Sequence, residues 1–339
     1  MVRISDIIGK SQQPKEPDKE KKSIQQPSIS QISSGLIHNL KSADKSETEA
    51  LYQDLLSLIG DIVKKVEQKR QAQIEIDKVK KFITKLIDQI SLGNDYLFSI
   101  SYFSSVDDYL PVHLLNTCIY SLGLGISLGL DKSKLEELGT ACIFYDIGLL
   151  KVQDLVKKSS KLNPSEYEKL KLHTQDAADL LRDIDSLPQV VSIVITQHHE
   201  RFDGSGYPQG LKQGQIHEFS RIVGLCDTYE ALTHNRPYEK KVFPYKAMRE
   251  ILQQKNLFDP RILKSFIDTM GIYPVETWVE LSDGEVGEVT SMNKISVLRP
   301  TVTIYIDSQG QRIAEPKLID LSKETNLYIK KALESRDIP

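Results

Sequence analysis

The spacing of apolar side chains divides the chain into stretches of different period. Within residues 48–95, the run LYQDLLSLIGDIVKKVEQKRQAQIEIDKVKKFITKLIDQI returns to an apolar residue every three or four positions, with charges between. That is the period of amphipathic helix, and it predicts two helices. Sustained heptads are missing, so a seam between two copies and a first layer of the core both stay open. Residues 96–271 continue in helical period. Helices are expected in YLPVHLLNTCIYSLGLGISLGL (109–130), DKSKLEELGTACIFYD (131–146), NPSEYEKLKLHTQDAADLLRDI (163–184), LPQVVSIVITQHHE (187–200), SRIVGLCDTYEALT (220–233) and PYKAMREILQQK (244–255). Several open on a capping residue, and Asn163–Pro164 supplies a cap followed by a first-turn proline. From residue 272 the period changes to alternation in TWVELSDGEVGEVTS and SVLRPTVTIYID, with turn signals at Ser282–Gly287 and Asp307–Gly310. That predicts a small β unit over 272–339, with KETNLYIKKALES closing it as a short helix. The fold class is therefore mainly α, with a small C-terminal β-containing extension.

Composition sharpens this picture. Residues 1–47 are rich in Ser, Gln, Lys and Pro and poor in large apolar groups, and are expected to form a disordered tail. The 339 residues carry 44 basic and 47 acidic side chains, a net charge of -3, which argues against a DNA-binding surface. Cys118, Cys142 and Cys226 are scattered and odd in number, which fits a reducing cytoplasm. The first residues have neither an apolar core nor a cleavage signal of the secretory kind. Residues 109–130 carry no charge and are long enough for a membrane span, but Pro111, His113, Asn116 and the spaced glycines place them in a globular core instead.

Candidate chemistry comes from six residues on separate helices: His113, Asp146, His173, His198, His199 and Asp227. Imidazole and carboxylate donors in this mixture suit a borderline divalent metal, and helix-borne ligands converging inside a bundle are a usual way to build such a site. QHHERFDGSGYPQGL followed by SRIVGLCDTYEALTHNRPYEK resembles the HD-GYP family of metal-dependent phosphodiesterases, and KLNPSEYEKLKLHTQDAADLL and FYDIGLL resemble its upstream motifs. The resemblance implies an HD-domain helical bundle with a binuclear site. One ion would rest on Asp146, His173, His198 and His199, the other on Asp146, His113 and Asp227, with Asp146 bridging and central to catalysis. It further implies hydrolysis of cyclic di-GMP, to the linear dinucleotide or on to GMP, by a hydroxide activated by two metals.

The chain departs from that family at three positions. Tyr145 stands where the motif histidine belongs, and a neutral phenol is a poorer ligand than imidazole. Leu149 replaces a lysine able to meet phosphate, with Lys151 two residues on. Glu239 follows Arg236-Pro237-Tyr238, where a basic residue is usual. Tyr109 stands where some members carry a glutamate for a third ion, so none is expected. Tyr207 offers an aromatic face to a base or a partner, and Arg236 a fork for phosphate, whereas Arg221 reads as structural. Two functions follow: a cyclic di-GMP phosphodiesterase impaired by Tyr145 and Leu149, or a degenerate module that binds metal or nucleotide and signals through protein contacts. The expected cofactor is a divalent cation, iron or manganese, one or two per chain, two favouring catalysis and one or none the degenerate module. The resemblance adds a diguanylate cyclase (GGDEF) domain as a partner through the GYP loop, and the N-terminal helices suggest a homodimer.

Overall fold

One uncharged helix organises the rest of the helical region. In the computed structural model, which describes residues 42–94, 96–103, 109–158, 160–184, 187–234, 242–273, 275, 277–293 and 296–333, α4 (Tyr109–Ser127) is buried without interruption from Leu110 to Gly125. Around it pack α1 (Ser42–Glu67), α2 (Ile76–Ser91), α3 (Tyr96–Phe103), α5 (Lys132–Phe144), α10 (Glu218–Thr233) and α12 (Pro260–Met270). Between these lie α6 (Gln153–Val156), α7 (Pro164–Lys171), α8 (His173–Leu181), α9 (Gln189–Gln197) and α11 (Pro244–Gln253). Among the described residues α4 is the one helix long and apolar enough to cross a membrane, and most of it is enclosed by its neighbours.

The amphipathic stripes of the N-terminal region are used within the chain. Tyr52, Leu55, Ile59, Ile62, Val63 and Val66 on α1, and Ile76, Val79, Ile83, Leu86, Ile87 and Ile90 on α2, belong to the same core as α4 and α5. Each such side chain contributes on the order of 1.5–3 kcal/mol on burial, which explains why these residues form a first core layer.

The structure corrects three expected elements. Residues 42–47, assigned above to the tail, are already helical, while residues 1–41 lie outside the described residues. The single helix expected over 163–184 is two, α7 and α8, broken at Leu172. The His173 ring takes the Leu170 carbonyl at 2.7 Å, in the turn where the helix would otherwise continue. The N-terminus of α7 follows the sequence signal, with Asn163 and Glu166 forming a reciprocal cap. The short helix expected in KETNLYIKKALES is instead a strand, β5 (Ile329–Ala332).

That strand completes an antiparallel sheet with β1 (Trp278–Leu281), β2 (Val286–Ser291), β3 (Thr301–Ile306) and β4 (Arg312–Asp320), in the order β4-β3-β2-β1-β5. β5 takes the open edge of β1, where Lys330 and Lys331 both reach Glu280, at 2.6 and 3.0 Å. The sheet fills its own small core with Val279, Leu281, Val289, Val302, Ile304, Ile319 and Leu321.

Candidate metal centre

The six candidate ligands come together. His113 lies one turn into α4, and Asp146 directly follows Tyr145, the C-cap of α5. His173 opens α8, His198 caps α9 with His199 next, and Asp227 lies within α10. All six are buried, His199 at 7% being the most exposed. Two glycines allow the elements to close this far. A Cβ on Gly148 would fall 1.9 Å from the His173 carbonyl oxygen, and one on Gly224 would fall 2.4 Å from that of His198.

His173 and His198 are held in one tautomer by the backbone. Nδ1 of His173 donates to Leu170 O at 2.7 Å, and Nδ1 of His198 donates to Ile195 O at 2.8 Å. A carbonyl only accepts, so in a neutral ring this arrangement leaves Nε2 as the free donor atom toward a metal, and the two Nε2 atoms face each other at 3.5 Å. They approach Asp146 Oδ1 at 3.1 and 3.5 Å without the alignment of a hydrogen bond, and that oxygen is buried with no hydrogen-bond partner. His199 Nδ1 is likewise buried and unpartnered. Burial works against charge on Asp146, but His113, His173 and His198 outweigh it and hold the carboxyl well below its usual range. Burial, then the neighbouring His198 and His173, push His199 down, keeping its ring neutral. An ionised carboxylate beside a neutral His199 and two imidazoles whose Nε2 atoms point inward is the donor set of a divalent cation. Asp146, His173, His198 and His199 therefore fit one.

His113, Asp146 and Asp227 form a second group that shares Asp146. His113 Nε2 lies 3.2 Å from Asp146 Oδ2 and 3.1 Å from Asp227 Oδ1, while its Nδ1 meets Glu230. Burial opposes a charge on His113, but Tyr109, Glu230 and the bonds to Asp146 and Asp227 outweigh it and hold the imidazole well above its ordinary pKa. The Tyr145 hydroxyl points into this group, 2.6 Å from His113 Nε2, and is placed to donate to Asp227 Oδ1 at 3.0 Å, with the Thr117 hydroxyl 3.2 Å away. Burial, then Asp227 and Asp146, push its pKa well above 10, so the phenol is neutral. Tyr109 stacks on His113 with centroids 5.1 Å apart.

Sequence reasoning missed several contributors. Glu230 sits one helical turn after Asp227, a spacing that shares a face, and this was the available signal. It belongs to a buried polar chain in which Tyr52 on α1 donates to Asn116 Oδ1 at 2.9 Å and Asn116 Nδ2 reaches Glu230 Oε1 at 3.4 Å. Glu200 ties down the following loop by accepting from Gln209 N at 2.7 Å and Leu211 N at 3.0 Å. Arg201 Nη1 donates to His198 O at 3.0 Å and Glu200 O at 3.2 Å.

Tyr207 stacks on His199 at 4.7 Å, so its ring borders the first group. Leu149 is buried in the 3-10 turn Ile147–Val152, while Lys151 pairs with Asp176 at 3.2 Å, near the surface. Arg221 pairs with Asp259, the N-cap of α12, in keeping with a structural role. Arg236 and Glu239 lie outside the described residues.

Comparisons place this geometry among known proteins. Residues 111–262 match the HD domain family, and residues 278–339 match a KOW domain associated with HD domains. A cyclic di-GMP phosphodiesterase of Pseudomonas aeruginosa is 32% identical over 70% of this chain and 59% of its own length. The cyclic di-GMP phosphodiesterase PdeB of Borreliella burgdorferi is 27% identical over 68% of this chain and 62% of its own length. The chain thus spans about three fifths of these relatives. Among solved structures, an HDG"Y"P protein from Bdellovibrio bacteriovorus aligns with a TM-score of 0.57 and 16% identity, covering 68% of this chain and 74% of that one, a likeness of fold.

Proposed function

Because the chain belongs to the HD-GYP family, we propose that it is a divalent-metal phosphodiesterase acting on cyclic di-GMP. The observation that carries this reading is the buried pair of unpartnered atoms, Asp146 Oδ1 and His199 Nδ1, beside the two converging Nε2 atoms of His173 and His198. Two relatives named as cyclic di-GMP phosphodiesterases support the substrate. A cation bound there supplies Lewis-acid polarisation of a phosphate oxygen and lowers the pKa of water. Imidazole and carboxylate donors suit a borderline divalent ion such as iron, manganese or zinc, and of these we take iron or manganese.

The chain's own residues then have distinct roles. Leu170 O and Ile195 O aim His173 and His198 inward. Tyr207, stacked on His199, presents an aromatic edge on which a guanine base can rest. Lys171, 5.5 Å from the Tyr207 ring, is a cation near that edge for phosphate charge. Arg201, with its guanidinium bound to backbone carbonyls, shapes the loop. Arg236 remains our candidate for phosphate by its place in the motif.

A second reading is favoured by Tyr145 and Leu149, which put a phenol and an aliphatic side chain where the family has a ligand and a cation. In it the chain binds metal or nucleotide without turnover and signals through the loop at residues 204–211 to a diguanylate cyclase (GGDEF) domain. We extend either reading to a cytoplasmic protein with an N-terminal helical region (48–95), a catalytic-type domain (96–271) and a C-terminal extension (272–339), pairing with a second copy through the outward faces of α1 and α2, whose apolar stripes are buried within the chain. The test is incubation with cyclic di-GMP and Mn²⁺ or Fe²⁺, with products separated by chromatography. Linear dinucleotide or GMP is expected. Intact substrate together with measurable nucleotide binding selects the second reading. Combined replacement Tyr145→His and Leu149→Lys is expected to raise turnover.

A further inference from the structure

The two donor groups that share Asp146 differ in what they leave unsatisfied. Around His173, His198 and His199, polar atoms are left over. Asp146 Oδ1 and His199 Nδ1 have no hydrogen-bond partner, and the Nε2 atoms of His173 and His198, each ring anchored to a backbone carbonyl through Nδ1, face each other at 3.5 Å. Around His113, every ligand atom is engaged. Its Nδ1 meets Glu230, its Nε2 meets the Tyr145 hydroxyl at 2.6 Å, and that hydroxyl also reaches Asp227 Oδ1 at 3.0 Å and Thr117 Oγ1 at 3.2 Å. The first group is incomplete without a cation, whereas the second is complete with a phenol.

Geometry makes the two occupants exclusive. A cation shared by His113 Nε2, Asp146 Oδ2 and Asp227 Oδ1 would lie about 2.0–2.2 Å from each donor. Those donors are 3.1 and 3.2 Å apart from Nε2, and the Tyr145 oxygen is closer to Nε2 than either. The oxygen is already within hydrogen-bond reach of two of the three donors, His113 Nε2 and Asp227 Oδ1, and so takes up the contacts a cation would need. A phenol that keeps its proton is a weak donor, so it would have to lose the proton or leave. Tyr145 has little room to leave, being fully buried, with its ring edge-on to His198 at 4.9 Å.

We propose that the Tyr145 hydroxyl is the resident of the second position, and that this chain holds a single divalent cation on Asp146, His173, His198 and His199. The proposal rests on the metal-site reading above and fixes its stoichiometry.

The test is a count of bound metal. The 339-residue chain is saturated with Mn²⁺, freed of loose ion by desalting, and analysed by plasma mass spectrometry, with circular dichroism melts for each variant. Expected values are one ion per chain in the wild type and in His113→Ala, none in His173→Ala, and two in Tyr145→His. Two ions in the wild type overturn the proposal, as does loss of the ion in His113→Ala while His173→Ala keeps it. A folded Tyr145→His that stays at one ion also overturns it. If that variant does not fold, the wild-type and His113→Ala counts decide. A second measurement is the visible spectrum after iron loading in air. A charge-transfer band present in the wild type and absent in Tyr145→Phe makes the tyrosine a ligand and overturns the proposal; its absence supports it. A wild type that keeps no ion removes the metal site altogether. One ion without turnover leaves the count standing and removes only the hydrolysis.

Discussion

At the scale of single residues, the site depends on small groups that let backbone come close. Gly148 is the clearest case, because its α-carbon faces the His173 carbonyl where a methyl group would sit at 1.9 Å. Gly148→Ala is expected to destabilise the chain by at least about 3 kcal/mol, the upper range for overpacking, and to lower cation affinity by moving His173. Thermal melts with and without Mn²⁺ check both. The buried cluster was legible in the sequence because its histidines and aspartates fall at the positions of the HD-GYP motifs, whereas any one of them alone on an apolar helix would read as an ordinary core residue. Glu230 was not, because a glutamate on a helix is ordinarily a solvated residue. Only the fold reveals that this one is 1% exposed and fixes His113 from behind. The position of the Tyr145 hydroxyl was also invisible in sequence, since a residue next to a ligand can point either way from a helix end.

At the scale of elements, local pattern predicted most helices and failed where a side chain or a sheet edge intervened. The break between α7 and α8 is made by the His173 ring taking a backbone carbonyl. β5 carries helix-forming residues but finds an open strand edge with Glu280 waiting for its two lysines. Between α1 and α4, Tyr52 donates to Asn116, whose amide reaches Glu230. Tyr52→Phe is expected to cost about 1–3 kcal/mol, the penalty for stranding a buried acceptor, measured by urea denaturation; Tyr52→Phe combined with Asn116→Leu should recover part of it. In the sheet, Glu288 on β2 is buried with an unpartnered Oε2, and burial raises its carboxyl from 4.5 to about 7. The folded state keeps this proton where the unfolded state has lost it. The contribution to stability is thus full below about pH 4.5 and falls as pH rises to about 7, by ~3 kcal/mol in all. Melting of the sheet between pH 4.5 and 8 should decline in the wild type and flatten in Glu288→Gln.

At the scale of the whole molecule, the helical part and the sheet fill separate cores. A chain ended after Gly271 is expected to keep the helical fold and its cation, as judged by circular dichroism and metal content. A chain ended before α10 should be insoluble, because α10 and α12 cover α4 directly. The same arrangement bears on how the protein is made. α4 is finished when the chain has reached residue 127, yet its last cover, α12, ends at Met270. Throughout the intervening synthesis a long uncharged helix lacks its lid, and hydrophobic surface of that kind invites aggregation. The helix at the centre of the folded protein is thus, during synthesis, an apolar surface that stays uncovered until residue 270 has been made.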